Sequence, residues 1–581
     1  MLIRAFKPIV LLCILAITTI CYLPGLTGHF IFDDGANIRL NTDIRIDRLD
    51  FPSLGQAASS GSAGLFKRPI SMVSFAVNYY VSGMDAYYFK LCNLGIHLIN
   101  GLLVFVLSRL LLRLYVRVHQ VAMDDKAGFW IAAAVTAIWL LHPFNLTGVL
   151  YVVQRMTSLA ALFTLVGLVL YLYGRQYLLD GNKVGMWAIG IAVFVMTPLA
   201  ALCKENGALL PVLILAAEAI LLRWTTAKTE HRRVLFMVVG LSAILPIILG
   251  LAYLLKHPDV IFTGYSWRNF TLAERMMTEA RVMWFYLQMI VLPSMTEMGL
   301  HHDDIPISRG LFLPWTTLPA IGGVLLLVTG GFALRNKQPM IAFGIAFFFV
   351  GHALESTIFP LELAFEHRNY LPMFGILLPL AYYVLNPKLH LPSVRARRAV
   401  FLMLLVLFTG LTASRAQQWG NALLMRTMEV ERHPRSVRAH TDLASLYDHL
   451  PPTSQMDAIN LYDKARFHYR QAADVEPSSI SGLIGLLAVN AERKLAIDEI
   501  LLETLEQRLA TVPFGPPNKN TLIGLARCIA SGECTVGAEK IERVYRAALS
   551  NPSLTGGHRD QVISEFGQVP VEIWPRVKMR N

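Results

Sequence analysis

The chain has 581 residues, of which 54% are hydrophobic and only 16% are charged, and its mean hydropathy is +0.48. A soluble domain carries roughly 25% charged residues, so this composition excludes an ordinary soluble protein and indicates a polytopic membrane protein. The net charge of +12 does not indicate a nucleic-acid partner, because many of the Lys and Arg residues lie in short loops between apolar segments, where anionic lipids and membrane topology favour them.

The sequence contains about eleven apolar segments of roughly 17 to 25 residues, the length that crosses a hydrocarbon core. They lie near residues 9–28, 92–112, 129–146, 157–174, 185–202, 207–222, 234–255, 313–334, 339–356, 370–386 and 398–414. No small-x-small cleavage site follows the first segment, so we interpret it as a retained helix rather than a signal peptide. We expect a helix to end at His142-Pro143, because Pro cannot donate a backbone hydrogen bond.

Basic residues mark the side of the membrane on which the N-terminus lies. Arg113 and Arg117, Arg232 and Arg233, and Arg335 all fall in loops on that side, which the positive-inside rule assigns to the cytoplasm. Two long loops, 29–91 and 256–312, then lie on the outer face. We expect a multi-pass protein of a bacterial inner membrane, with its N-terminus in the cytoplasm and its outer loops in the periplasm.

The hydropathy falls after about residue 415, which divides the chain into a membrane domain, 1–415, and a soluble α-helical domain, 416–581. Small and aromatic residues at helical spacing in the second domain, such as Ala444, Tyr462 and Ala465, predict tetratricopeptide-like repeats, and we expect this domain in the periplasm. An ordinary helical bundle is the alternative. Cys528 and Cys534 form a disulfide in an oxidising compartment, or are two unrelated reduced cysteines.

Asp33 and Asp34 follow directly on the first apolar segment. A carboxylate beside a low-dielectric membrane is energetically costly, so an adjacent pair at this depth indicates a function, although Asp is also a good helix N-cap. A carboxylate can serve as the general base for an attacking hydroxyl group. Because adjacent side chains point in different directions, we expect only one of the two to be the base.

Cations occur at the outer ends of several predicted helices. Arg155, Arg368, Lys204 and Arg68 are the candidates for binding a phosphate, since fixed guanidinium and ammonium groups stabilise charge that develops on phosphate oxygens. Arginines at a membrane boundary can instead be snorkelling anchors. The base and the cations together suit the transfer of a sugar from a lipid phosphate to a hydroxyl group.

Further polar residues at the same depth are candidates for substrate binding: His97, Gln154, Glu205, His367 and Tyr370. His97 lies one helical turn from Asn100, and interhelical hydrogen bonding explains both residues without catalysis. Glu205 is equally well explained as the ion-pair partner of a neighbouring cation, because charges at membrane depth tend to pair.

These residues occur in an ordered series of short motifs. The series runs from HFIFDDGANIRLN at residues 29–41 through Arg68-Pro69, Tyr88 to Asn93, His142-Pro143, Tyr151 to Arg155 and Lys204-Glu205 to Glu366-His367-Arg368-Asn369-Tyr370. It resembles the GT-C glycosyltransferases, and more specifically the transmembrane and tetratricopeptide repeat-containing O-mannosyltransferases and their bacterial relatives.

The resemblance implies an all-α protein with a GT-C-like membrane domain, a polyprenyl-phosphate sugar donor, inversion at the anomeric carbon and Asp33 as the base. Two features depart from the family pattern. Asp34 replaces the second Glu of the acidic pair, and Lys90 stands where His is more usual. The expected acceptor is a protein hydroxyl, with a surface polysaccharide or lipopolysaccharide as the alternative.

Two different classes of protein compete with an enzyme. A transporter or flippase can have as many helices, but its polar residues tend to lie at the bilayer midplane rather than at one face. A non-catalytic scaffold would tolerate the loss of Asp33. The run from His301 to Asp304 looks like a metal cluster, but adjacent residues rarely converge on one ion, so we expect no cofactor, with a divalent cation as the alternative.

Overall fold

The computed structural model describes residues 2–64, 66–387 and 393–569. Over these ranges the chain is helical and contains no β-strand beyond an isolated bridge between Gly310 and Leu313. This confirms the predicted all-α, polytopic architecture. The last residues of the predicted second domain, 570–581, lie outside the described ranges.

The membrane part contains seventeen α-helices among the described residues. They are α1 (Leu2–Tyr22), α2 (Phe51–Ser59), α3 (Pro69–Ser82), α4 (Ala86–His119), α5 (Asp125–Leu140), α6 (Thr147–Leu150), α7 (Arg155–Leu179), α8 (Gly185–Ile191), α9 (Thr197–Cys203), α10 (Leu210–Ala217), α11 (Thr229–Lys256), α12 (Asp259–Tyr265), α13 (Leu272–Val291), α14 (Thr317–Leu334), α15 (Pro339–Gly351), α16 (Phe374–Leu385) and α17 (Val394–Trp419).

Eight helical stretches of the described chain are long and apolar enough to cross a membrane. They are Lys7–Thr27, Ala86–His119, Val152–Leu179, Gly185–Cys203, Glu205–Leu222, Thr229–Lys256, Thr317–Leu334 and Val394–Trp419. The pair α5 and Pro143–Leu150 makes a ninth if it counts as one span, with a bend of 52°. The bend falls at His142-Pro143, where the sequence predicts the end of a helix.

Two of the eleven predicted segments form helices that are too short to span by themselves. Helix α15 has 13 residues and α16 has 12, whereas a crossing needs about 20. The sequence count of eleven therefore exceeds what helix length supports, because hydropathy continues past the residues at which these helices end. Both helices pack into the buried core of the membrane part and against each other.

The two predicted outer loops are largely helical. Residues 29–91 contain α2, α3 and the start of α4, and residues 256–312 contain α12 and α13. Helix α13 begins at a capping box, in which the Thr271 side chain accepts the Glu274 N–H and Glu274 accepts the Thr271 N–H. Hydropathy alone does not reveal such helices, since they are amphipathic rather than apolar.

The C-terminal part continues from α17, which ends at Trp419, beyond the predicted boundary. Its helices are α18 (Ala422–Arg432), α19 (Val437–His449), α20 (Gln455–Val475), α21 (Ser481–Glu492), α22 (Glu499–Thr511), α23 (Pro516–Ala530), α24 (Ala538–Ser550) and α25 (Gly556–Phe566). Alternate helices pack together, α22 on α24 and α23 on α25. Cys528 and Cys534 form a disulfide. The repeat assignment stays a prediction.

Candidate functional site

The candidate site is built around the segment 151–157, where a short 3-10 turn, Val152–Gln154, leads into α7. The hydroxyl oxygen of Tyr151 accepts the backbone N–H of Asp33 at 3.0 Å. The backbone N–H of Val153 donates to the Asp34 carboxylate at 2.7 Å. The first outer loop is thereby fixed onto the start of α7, although the two segments are far apart in sequence.

The same segment also contacts two predicted cations. The Met156 sulfur lies 3.3 Å from an Nη of Arg68, and the Thr157 hydroxyl accepts from the Lys204 ammonium at 3.0 Å. The structure therefore brings the acidic pair, Arg68 and Lys204 into contact with one short segment of the chain, residues 151–157. The predicted base and two of the predicted phosphate ligands thus lie around the same segment.

The two adjacent carboxylates have different surroundings. Asp34 is fully buried, and its oxygens accept the backbone N–H groups of Ile31 at 3.0 Å and Val153 at 2.7 Å. Burial raises the pKa of Asp34 to about 7, against the lowering effect of these two hydrogen bonds and of Lys90. Asp34 holds the loop in place through these two hydrogen bonds, and its predicted catalytic role stays a prediction.

Asp33 is exposed to solvent, yet the protein packed around its carboxylate raises the pKa of Asp33 above its ordinary value. A hydrogen bond with Tyr151 and the charge of Arg438 oppose this effect. The Asp33 side chain is therefore open to solvent and has protein on most of its sides, so it lies in a recess of the surface. Phe32, directly before it, has a φ of 44°, a backbone conformation that is costly for a non-glycine residue and is often found at functional sites.

Two of the predicted cations are paired with carboxylates. Arg68 makes a two-pronged ion pair with Glu205, with Nη2 at 2.8 Å and Nε at 3.2 Å from the same carboxylate oxygen. Lys204 lies 2.8 Å from Glu355, which is not among the predicted site residues. Gly64 lets the loop close over this pair, because a Cβ there would lie 1.6 Å from a Glu205 oxygen, and its φ is +74°.

Arg368 and His367 lie on the 3-10 turn Glu366–Asn369. Arg368 is buried, and its two Nη atoms donate to the backbone carbonyls of Leu363 at 3.0 Å and Glu362 at 2.7 Å. It borders a small cavity of about 30 Å³ together with Lys204 and Thr157. His367 is also buried, stacks on Phe365 with ring centroids 5.0 Å apart, and packs against Tyr151 at 6.4 Å.

Arg155 is the predicted cation whose surroundings least support phosphate contact. Its guanidinium is buried and donates to Asn93 at 2.6 Å, Asn78 at 2.6 Å, the Ser74 carbonyl at 3.0 Å and the Phe89 carbonyl at 2.9 Å. These contacts join α3, α4 and α7. The geometry favours a role for Arg155 in positioning the start of α7.

His97 and Tyr370, both predicted substrate-binding residues, lie inside the helical core. His97 Nδ1 is 2.8 Å from the Tyr370 hydroxyl and Nε2 is 3.1 Å from the Leu140 carbonyl. Asn100 donates to the same hydroxyl at 3.2 Å. This network matches the interhelical alternative. Gln154 is buried and accepts a hydrogen bond from the Thr157 hydroxyl at 2.8 Å.

The residues from His301 to Asp304 do not converge on one point. His301 faces Asp442 at 2.9 Å, Asp303 accepts from Ser436, and Asp304 faces His433 at 3.0 Å. All three partners belong to the C-terminal part. Among the residues that the structure describes, the cluster that matches a metal-ligand arrangement is Glu492 with Cys528 and Cys534, but these two cysteines are joined in a disulfide.

Comparison with known proteins finds relatives that are named protein O-mannosyl-transferases. The chain is 28% identical over 209 residues to the protein O-mannosyl-transferase TMTC4 of Mus musculus, and the aligned region covers 33% of this chain and 27% of the relative. It is 20% identical over 465 residues to a protein O-mannosyl-transferase of Caenorhabditis elegans, covering 75% of this chain and 59% of the relative. It is 21% identical over 631 residues to the protein O-mannosyl-transferase Tmtc3 of Drosophila melanogaster, covering 93% of this chain and 64% of the relative.

The chain spans less than a third of the length of the first of these relatives. No family model and no solved structure matches the chain. The relatives confirm the resemblance to the O-mannosyltransferase family that the sequence motifs carry.

Proposed function

We propose that the chain is a membrane glycosyltransferase that moves a sugar from a polyprenyl-phosphate donor to a hydroxyl group of a protein on the periplasmic face. The observation that carries this proposal is the segment 151–157. It contacts the backbone N–H of Asp33, a residue with an exposed side chain, through the Tyr151 hydroxyl, and it contacts two cations through Met156 and Thr157. The names of the relatives support a protein acceptor and make mannose the first sugar to test.

In the proposed step, Asp33 takes the proton of the acceptor hydroxyl as its oxygen attacks the anomeric carbon. The bond between that carbon and the phosphate oxygen breaks, and the polyprenyl phosphate leaves with the bonding electrons. Arg68, Lys204 and Arg368 stabilise the negative charge of the leaving phosphate. No cofactor is needed in this step, because the donor is already activated by its phosphate ester.

The proposal also assigns sides of the membrane. The distribution of basic loops supports a cytoplasmic N-terminus in a bacterial inner membrane. The disulfide between Cys528 and Cys534 supports an oxidising compartment for the C-terminal part. Cysteine labelling of loop 29–91 in intact cells tests this assignment, and labelling from the cytoplasmic side alone would contradict it.

Transfer is tested with purified protein in lipid nanodiscs, polyprenyl-phosphate [³H]mannose and a mixture of exported proteins or glycolipids as acceptor. We expect label in protein with the wild-type chain and its loss with Asp33→Asn. Asp47→Asn is the matched control, since Asp47 is an exposed carboxylate of the same outer loop whose one ion-pair contact is with the neighbouring Arg48. Label in glycolipid would move the acceptor to the polysaccharide class, and full activity of Asp33→Asn would refute the proposed base.

A further inference from the structure

The C-terminal part is attached to the outer face of the membrane part through specific polar contacts. Glu429 on α18 accepts the backbone N–H groups of Leu300 at 2.8 Å and His301 at 3.4 Å. His301 also faces Asp442 on α19 at 2.9 Å. These partners hold the segment that follows α13, so the position of that segment depends on α18 and α19.

Arg438, near the start of α19, extends this contact to the recess that holds Asp33. Its Nη2 donates to Glu362 at 2.8 Å, and Arg268 donates to the same Glu362 oxygen at 2.6 Å. The guanidinium carbon of Arg438 lies 5.2 Å from the centre of the Phe32 ring. A planar cation over an aromatic ring is an attractive arrangement, and Glu362 fixes its orientation.

Phe32 is therefore enclosed from two sides. Arg438 covers its face, and the His301 ring meets it edge to face with centroids 5.1 Å apart. Phe32 has the unfavourable φ of 44° and directly precedes Asp33. A strained residue keeps such a conformation only when its neighbours impose it. Both neighbours named here depend on α19, because Arg438 lies on this helix and His301 faces Asp442 of the same helix.

The groups that face the Asp33 carboxylate come from four parts of the chain. They are Tyr151 before α7, Glu362 before the 366–369 turn, His301 after α13 and Arg438 on α19. Arg438 is the charge among them that most favours the ionised carboxylate. Without the positive charge of Arg438, the negative charge of Glu362 would disfavour the ionised form of Asp33 more strongly.

We infer that the C-terminal domain completes the active centre, with Arg438 as a positioning residue that holds Phe32 and Glu362 and so keeps Asp33 placed and ionised. This inference rests on the proposed function, in which Asp33 is the base. It assigns the C-terminal domain a part in the chemical step that is separate from any binding of the acceptor.

The test compares full-length wild-type protein with Arg438→Gln, Arg438→Lys and the control Arg470→Gln in nanodiscs. Arg470 is exposed on α20. We expect Arg438→Gln to lower kcat at least 10-fold, to leave the KM for polyprenyl-phosphate mannose within twofold, and to move the acid limb of the pH profile upward. The limb moves upward because loss of the positive charge raises the pKa of Asp33, and only the ionised base is active.

Arg438→Lys keeps the charge but loses the flat contact with Phe32, so we expect a lower kcat with the acid limb near its wild-type position. If Arg438→Gln does not fold, the kcat and the pH profile of Arg438→Lys test the inference. A wild-type kcat and pH profile in both variants would overturn the inference. Asp33→Asn is measured in parallel, because its full activity would overturn the proposed function itself, whereas an inactive Asp33→Asn beside fully active Arg438 variants would overturn this inference alone.

Discussion

Substitution of the two adjacent carboxylates should separate activity from stability. We expect Asp33→Ala to lower the transfer rate strongly and leave the thermal unfolding temperature nearly unchanged, and Asp34→Ala to lower that temperature strongly. The reason is the difference in their contacts, since Asp33 is exposed whereas Asp34 is buried and accepts two backbone hydrogen bonds.

The magnitudes follow from these contacts. A buried donor that loses its acceptor costs about 1–3 kcal/mol, so the N–H groups of Ile31 and Val153 together make Asp34→Ala cost about 2–6 kcal/mol. Asp33→Ala removes an exposed side chain, which changes stability by about 0.5 kcal/mol or less. Loss of a general base lowers the rate by roughly 10²–10⁴-fold.

The effect of Asp34→Ala should also depend on pH. The pKa of Asp34 is raised to about 7 in the folded state by burial, above its ordinary value of about 3.9. Between these values the folded state binds more protons than the unfolded state, so the contribution of Asp34 to stability falls as the pH rises through this window. The loss of stability in Asp34→Ala is therefore larger at pH 5 than at pH 8.

The assay follows tryptophan fluorescence during thermal unfolding in detergent at both pH values, together with transfer measured below the lowest unfolding temperature. A wild-type unfolding temperature for Asp34→Ala would refute the reasoning, because it would mean that the link between the first outer loop and α7 contributes nothing. Equal destabilisation by both substitutions would refute the separation of roles.

Three further results are expected. Lys204→Met should raise the KM for the donor and destabilise the protein by about 3–5 kcal/mol, because it leaves the buried Glu355 carboxylate without its cation. The double variant with Glu355→Leu should recover stability but not the KM, and donor titrations and thermal unfolding check both results. The acid limb of the transfer rate should lie above the pH at which a free Asp titrates, because the surrounding protein raises the pKa of Asp33, and a limb near pH 4 would contradict this. Replacing Cys528 and Cys534 by Ser should cost about 2 kcal/mol with kcat unchanged, as measured by chemical unfolding and by transfer at low temperature, since a short loop loses its closure and no substrate contact is involved.

The sequence was sufficient for the features that depend on local composition. Apolar length predicted the membrane helices, and the Pro of His142-Pro143 predicted the bend after α5. The count failed at α15 and α16, because a helix can end inside an apolar run when its neighbours supply other contacts. Helix α13 was missed for the opposite reason, since its amphipathic sequence has no apolar run long enough to cross a membrane.

The partners of the charged residues were beyond the reach of the sequence. Lys204 pairs with Glu355, and Arg438 reaches Glu362, over separations that no local pattern encodes. A single sequence shows that a buried cation needs an acceptor but not which acceptor the fold delivers. The one available signal for Glu355 was its position at the end of a predicted apolar segment, where an unpaired carboxylate would be costly.

The same limit applies to Arg155, which the sequence predicts as a phosphate ligand. An Arg has five N–H donors, and what decides its role is how many the protein has already used. Arg155 makes four hydrogen bonds to protein acceptors. Its remaining capacity is small, and its donors are directed at α3 and α4 rather than toward the cavity beside Lys204.

Donor capacity also ranks the other cations. Arg68 directs Nε and Nη2 at Glu205, while its Nη1 meets only the sulfur of Met156, which is a weak acceptor. Lys204 has three N–H donors, of which Glu355 and Thr157 take two. Arg68 can therefore turn a pair of N–H groups toward a phosphate while it keeps its carboxylate, whereas Lys204 offers one. A two-pronged phosphate contact is thus expected from Arg68, with Lys204 acting mainly through its charge.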